Sequence, residues 1–493
     1  MLRTKKTVVL VVVGLLVLAM VSAASFAAWF GWGGGSKDVT LKVCLPSSSW
    51  GGSADPGLMD EVKKYMEQQN GVKIEMIAPP MNTYSDKINV LLASGDVPDV
   101  FRITKAMRNI HAFTQRGYTA DLNKYVKNNK ILKKVDQKYF DYLTLNGIIR
   151  GIPMAQEQVK FLWTRNDLLK QYGVKFSSSA PSTEEFYNEM KKVKDRIPLT
   201  YPKFLDNLPF FYHSFGVYDE FIKDNKGKYY DVFNTQDMKD CLTYLNKLYN
   251  EGILDKEFPT NDNTVLRNNL ISGKATINID YDTRYAYYMS EIVRLDPNAK
   301  PELKPLFCLK GPKGYGGTLN EAIQDCIAIS PKSKNPQKAV DLVAWAYFTV
   351  DGQKAMQVGL PGKHYVIENG QGKLTAQAEA GGQSLDLNNI LKRMVPFEEL
   401  KESFGFKFPG EEIVKSYYDL VKDQSKYVGR KEVIAMGQSA TYDRYGASLN
   451  KKRQEIALQV IIGNKTVDAA FKEYNDFFKS INGDQIIKEL NSK

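Results

Sequence analysis

The sequence predicts an α/β protein of two or three domains behind an N-terminal export segment. Three observations lead there. Strand and helix patterns alternate from Val39 onward, an uncharged apolar stretch opens the chain, and the roughly 455 residues that follow it exceed what one core usually supports. At 43% hydrophobic residues the chain can fill such cores.

The opening stretch places Arg3, Lys5 and Lys6 before a run from Thr7 to Ser36 that carries no charge. Basic residues remain on the cytoplasmic side while the apolar run enters the bilayer, so the rest of the chain is translocated. Residues 1–36 therefore read as a signal peptide or a signal anchor, and both remain open. Ala23 and Ala27 offer small-residue cleavage sites, whereas Trp29 and Trp32 sit where an interfacial aromatic belt would lie. Mass spectrometry of the mature N-terminus is expected to show either an intact anchor or a new end near Ala24 or Ala28. A diacylglyceryl group on Cys44 would contradict both.

Val39 to Leu45 reads as a strand, followed by Asp55 and Pro56 as N-cap and first-turn proline of a helix with Met59, Val62 and Met66 at helical spacing. Val72 to Ile77 is a second strand. Thr83 and Asp86 form a capping-box pair, Tyr84, Ile88 and Leu91 an apolar stripe, and Gly95 a helix stop before a strand at Val97 to Ile103. This alternation predicts a parallel sheet covered by helices, with ligands beyond the carboxyl ends of its strands. A second set of elements starts near Gly151. It includes a helix capped by Ser182 and Glu185, a hairpin turn at Asp224 to Gly227, a helix striped by Met238, Leu242, Leu245 and Tyr249, and a strand at Lys274 to Ile279. A strand near Cys326 to Ile329 and a helix opened by Asn335 and Pro336 follow.

Charge and motifs narrow the function. The formal net charge is +11, but basic runs are short, with Lys451, Lys452 and Arg453 among the densest, so a nucleic-acid stripe is not indicated. A basic surface facing an anionic cell envelope is the simpler reading, and an acidic sugar ligand the sharper one. Cys44, Cys241, Cys308 and Cys326 form no C-x-x-C pair, and only Cys308 and Cys326 have a spacing that suits a bridge. His111, His213 and His364 show no metal-binding spacing, and no nucleophile elbow, P-loop or dinucleotide fingerprint is present. No catalytic residue, metal or cofactor is assigned. A glycoside hydrolase needs only two carboxylates, for which Asp280 and Asp282 would serve, so that alternative stays open.

The stretch YSDKINVLLASGDVPDVF from Tyr84 resembles the signature region of family 1 extracellular solute-binding proteins. Four further blocks agree: GIPMAQEQVKFLWTRNDLLKQYGV from Gly151, PSTEEFYNEMKKVK from Pro181, YLNKLYNEGILDKEFPT from Tyr244, and SPKSKNPQKAVDLVAWAYFTVDGQKA from Ser330. The resemblance spans nearly the whole exported chain and is nearest to the larger, LipO-like members of Gram-positive bacteria. It implies a two-lobed, periplasmic-binding-protein-like α/β fold with discontinuous lobes joined by a hinge. Lobe one is placed at 38–155 plus 325–365, and lobe two at 156–324 plus 366–493. It further implies a monomer on the outer face of the cytoplasmic membrane that captures a carbohydrate, an oligosaccharide in the first instance, and delivers it to the permease subunits of an ABC importer. A peptide or amino-acid ligand is the alternative within the fold. The sequence departs from the family at two points. No cysteine follows the apolar run for lipid attachment, and Val193 to Arg196 lead straight into Ile197 without the acidic calcium loop that many relatives carry.

Four loops after strands supply the candidate ligand contacts: Trp50; Arg102; Trp163 with Arg165; and Asp280, Tyr281, Asp282 and Arg284. Indole and phenol faces cover the apolar faces of a sugar ring, while Arg and Asp satisfy its hydroxyls through charge-assisted hydrogen bonds. Each also has a packing or salt-bridge alternative. The expectation is that Trp50 and the Asp280 to Arg284 loop face each other across the cleft.

Overall fold

The computed structural model describes residues 39–493 except 157, 204–207, 322, 384, 386, 388–389, 392, 409–410, 428–437 and 493. The export segment lies outside them. No helix among the described residues is long and apolar enough to cross a membrane.

Ten strands build the two larger sheets: β1 (Thr40–Cys44), β2 (Lys73–Ile77), β3 (Val100–Thr104), β4 (Ile152–Pro153), β5 (Gln158–Arg165), β6 (Ile197–Leu199), β7 (Ala275–Tyr281), β8 (Leu303–Leu306), β9 (Leu319–Glu321) and β10 (Asp325–Ile329). The first sheet runs β2-β1-β3-β10-β4. The second runs β8-β5-β7-β6, with β9 also pairing β5.

Local chemistry starts the helices where the sequence places them. Asp55 accepts from Leu58 N at 3.0 Å and caps α1 (Pro56–Asn70), which buries Met59, Val62 and Met66. The helix α2 (Tyr84–Ala93) forms, but not by the expected cap, because the Thr83 hydroxyl donates back to Pro80 O at 3.3 Å and makes no cap bond. The next helices are α3 (Ala106–Gln115), α4 (Asn123–Asn128) and α5 (Thr183–Met190), the last capped by Ser182 accepting from Glu185 N. Then come α6 (Gln236–Asn250), α7 (Pro336–Phe348) and α8 (Val350–Gln357). At the C-terminal end stand α9 (Ala440–Ile461), α10 (Val467–Ser480) and α11 (Gly483–Asn491). The hairpin turn closes the short strands Phe221–Lys223 and Tyr229–Asp231, with Gly227 at φ +77°.

Neither sheet is all parallel, which corrects the sequence reading. β1 and β3 are parallel, but β10 pairs antiparallel with both β3 and β4. In the second sheet β7 is parallel to β6 and antiparallel to β5. The physical reason is the crossing of the chain. It leaves the first sheet between β4 and β5 and returns between β9 and β10, and a strand that returns without a helical crossover enters in the reverse sense.

Hydrophobic clusters lie on these sheets. One gathers Cys44, Tyr84, Phe101, Ile103, Ile110 and Ala328; another gathers Phe161, Trp163, Leu199, Leu242, Ile277 and Tyr288. After 365 the chain remains in hydrogen-bonding contact with the first lobe, Gln377 Nε2 donating to Asp55 Oδ1 at 2.8 Å and Ala54 N to Gly381 O at 2.9 Å. The helices α9 and α10 pack on α6, and α11 packs on α9 and α10. All four cysteines are buried free thiols.

Candidate functional site

Charged and aromatic groups from both sheets meet where β9 crosses to β10. The ladder between β1 and β3 ends at Cys44 and Phe101, and the Tyr84 hydroxyl fills the gap, donating to a backbone carbonyl and accepting from Arg102 N at 2.8 Å. Arg102 is the middle residue of β3, opposite Ile327 of β10. Its Nη2 is ion-paired with Asp325, the first residue of β10, and Asp325 Oδ1 also accepts from Lys105 N at 3.1 Å. Burial disfavours the Arg102 charge, but Asp325 outweighs it and raises the guanidinium above its ordinary range. Burial, and then the neighbouring Arg102, lower Arg393 to about 10 against the pull of Tyr347 and Asp325. Arg393 is brought there by a β-bridge to Ala155, in the first crossing segment.

The second sheet reaches the same place through Tyr281. Its hydroxyl accepts a hydrogen bond from Gln324 Nε2, next to Asp325, and Lys160 Nζ lies 4.5 Å from the ring centroid. The register explains this pairing, since Tyr281 of β7 stands directly opposite Lys160 of β5. Asp280 is buried and held by Arg267 at 2.7 and 3.2 Å and by the Tyr288 hydroxyl at 2.7 Å. Burial would raise its carboxyl, but Arg267 and then Arg284 hold it below the usual range. Asp282, fully buried, accepts from the Tyr417 hydroxyl at 3.2 Å, and the Arg284 guanidinium lies 5.6 Å from the Tyr287 ring.

The sequence-derived candidates therefore divide. Arg102 and Tyr281 come together around the crossing, whereas Asp280 is buried against Arg267 and Tyr288, and Asp282 is fully buried against Tyr417. Trp163 is buried in the second core, where its Nε1 donates to Tyr281 O at 3.1 Å and supports the loop from behind. Arg165 is a correction. Because β5 is antiparallel to β7, Arg165 lies five residues beyond Lys160, about 17 Å along the sheet from Tyr281. There it binds Asp167 at 2.7 Å and Leu270 O at 3.0 Å, at the C-terminal end of the helix Asn263–Ile271. Lys160, Gln324, Asp325 and Arg393 escaped the sequence reading, since strand register and crossing segments place them and neither leaves a local pattern.

Trp50 follows β1 as expected but is fully buried, so in this state its indole has no exposed face. Gly51 at φ +85° and Gly52 at φ +79° do permit close approach, but to the protein's own chain. A Cβ on Gly51 would stand 2.6 Å from His364 Nε2, and one on Gly52 2.7 Å from Gln357 O. His364 is fully buried, its Nδ1 accepts from Leu360 N at 3.1 Å, and burial lowers it to about 4. The unfolded chain takes up this proton first. The stabilising contribution is thus complete above about 6.5 and is lost as the pH falls toward 4. In a histidine-labelled NMR titration one ring is expected to stay neutral down to about pH 4. Three rings all titrating near the ordinary value would contradict this burial.

Comparison with known proteins finds similar chains. The family model described as "Bacterial extracellular solute-binding protein" matches residues 51–351. Lipoprotein LipO of Bacillus subtilis is 25% identical over 96% of this chain and 95% of its own. The polygalacturonan/rhamnogalacturonan-binding protein YtcQ of the same organism is 24% identical over 87% of each. Among solved structures, alginate-binding protein AlgQ2 without calcium ion superposes with a TM-score of 0.65 at 20% identity, covering 93% of this chain and 98% of that one.

Proposed function

The chain belongs to the bacterial extracellular solute-binding proteins, and from that premise we propose that it captures an oligosaccharide between two lobes outside the cytoplasm and delivers it to the permease of an ABC importer. The observation that carries the reading is the meeting of Arg102 and Asp325 of the first sheet with Tyr281 and Lys160 of the second through the crossing residue Gln324. An aromatic face beside cations and a carboxylate suits pyranose rings and their hydroxyls. Relatives named for polygalacturonan and alginate binding support a saccharide ligand. Because the groups come from both lobes across a crossing, a solute touching both favours the closed arrangement, and a permease can sense that arrangement.

A thermal-shift screen of neutral oligosaccharides, uronate oligomers, amino acids and peptides tests this. A ligand at 100 times its dissociation constant adds about 2.7 kcal/mol of stability. Saccharides are expected to raise the melting temperature and to be recovered unchanged. A shift with peptides alone would replace the carbohydrate reading, and cleavage of the sugar would turn it into a hydrolase.

A further inference from the structure

The crossing carries a cation that no carboxylate among the described residues neutralises. Lys105 follows the last residue of β3, and its exposed side chain forms no ion pair with them. Asp325 does not serve it, since one oxygen is ion-paired with Arg102 Nη2 and the other accepts from the Lys105 backbone N at 3.1 Å. Asp280 is taken up by Arg267 and Tyr288, and Asp282 is buried against Tyr417. Arg393 adds a second guanidinium, whose charge is disfavoured by burial first and then by Arg102. Two polar groups of this cluster lack a hydrogen-bond partner among the described residues: Arg102 Nε and the hydroxyl of Tyr347, a side chain only 1% exposed. Burial pushes that hydroxyl up to about 12, against the nearby charges of Arg102 and Arg393.

The backbone holds Lys105 in place under strain. It adopts φ +49° and ψ +51°, a left-handed conformation that crowds the Cβ of any residue but glycine. Three hydrogen bonds fix the turn. Asp325 Oδ1 accepts from Lys105 N, Gln324 O accepts from Ala106 N at 2.6 Å, and Thr104 O accepts from Asn109 Nδ2 at 2.6 Å. The first two come from the crossing segment whose Gln324 side chain donates to the Tyr281 hydroxyl. Strain that the surroundings over-determine marks a position with a task, and an exposed lysine fills no core. The helix α3 starts at Ala106, so the positive end of its dipole adds to the same place.

We infer that the saccharide taken up at this crossing is acidic, with a uronate carboxylate held by Arg102 and Lys105 of the first lobe and its pyranose ring lying against Tyr281 of the second. The inference rests on the saccharide reading above and narrows it to one substrate class. A carboxylate supplies an acceptor to the donor that Arg102 leaves open and a counter-charge to the Lys105 amine. A neutral hydroxyl in its place leaves that amine without a counter-ion. Because the carboxylate is held by one lobe and the ring by the other, the charge also favours the closed arrangement.

Calorimetric titration of the full chain tests it, with trisaccharides of galacturonate, glucuronate and mannuronate, their methyl esters, and the neutral trisaccharides of the same linkage. The ester keeps the ring and the linkage and removes the charge, so it isolates the carboxylate. At least one uronate is expected to bind about 10-fold to 150-fold more tightly than its ester and its neutral counterpart, the range of a hydrogen bond to a charged group. Lys105→Asn removes the cation and places a residue that tolerates the left-handed conformation, so its apo melt should match that of the unaltered chain. Its affinity for the uronate should fall about 10-fold, and for the ester hardly at all. Arg102→Gln should lose more, but it also leaves Asp325 without its cation, so Lys105→Asn decides if that variant does not fold. Neutral trisaccharides that bind as tightly as the uronates overturn the inference and leave the saccharide reading standing. So does a preference for uronate that survives Lys105→Asn undiminished, since the carboxylate then lies elsewhere. Binding of no saccharide removes both readings.

Discussion

Arg453→Met is expected to lower the stability of the protein by about 3–5 kcal/mol, because it removes one member of a buried charged network. Arg453 of α9 is only 6% exposed. Its Nη2 donates to Asp231 Oδ1 at 2.7 Å and its Nε to the Tyr474 hydroxyl at 3.1 Å, while that hydroxyl donates to Asp231 Oδ2 at 2.7 Å. The guanidinium also lies 4.9 Å from the Phe221 ring centroid. The network ties α9 and α10 to the hairpin at 221–231, so the C-terminal helices depend on it for their seat on the second lobe. Methionine fills much of the volume but leaves the Asp231 carboxylate buried with the Tyr474 hydroxyl and the Phe233 N–H and without the Arg453 cation. The neighbouring Lys452 pairs with Glu455 and Glu473 at the surface, and Lys452→Met should cost no more than about 1 kcal/mol. Calorimetric melts of the two variants decide. Equal losses would mean that the buried network adds nothing beyond a surface pair. Adding Asp231→Asn to Arg453→Met should recover part of the loss, since it removes the stranded charge.

What the sequence discloses here is what acts over a few residues. The Asp55 cap, the stripe of Met59, Val62 and Met66, the Ser182 cap and the Gly227 turn are each decided within one helical turn or one hairpin, and each stands where the residues place it. The family resemblance supplied the division into lobes, which no local pattern contains. Strand direction was not legible. β10 reads as a strand in the sequence, but its antiparallel entry depends on the chain having crossed to another sheet and come back. That one unknown propagates to the site. With all strands taken as parallel, Arg165 and Tyr281 end at one edge; with β5 reversed they are a strand length apart. Tyr281 was legible because it ends β7, whose direction was read correctly. Lys160, opposite it, was not, because cross-strand partners follow from register alone.

The last expected result separates packing from recognition on the two sides of the cleft. Trp50→Ala should reduce apo stability by about 3–5 kcal/mol, as for other large aromatic side chains removed from a closed core, and leave solute affinity nearly unchanged. The indole is fully buried, so its removal leaves a cavity in the core. Tyr281→Ala should behave in the opposite way. Its ring is half-buried at the end of β7, with one face toward Lys160 and its hydroxyl toward Gln324, so truncation empties no core. A stacked ring that anchors a sugar contributes about 1–3 kcal/mol, which corresponds to a loss of affinity of about 5-fold to 150-fold. Tyr281→Phe keeps the stacking face and drops the hydroxyl that accepts from Gln324, so it should retain most of the affinity if the ring is the anchor. Calorimetric titration with the saccharide found in the thermal-shift screen, alongside apo melts of all three variants, gives both axes. Unchanged affinity in Tyr281→Ala would move the ligand away from the crossing. A large affinity loss in Trp50→Ala with no loss of apo stability would show that the indole swings out to meet the solute.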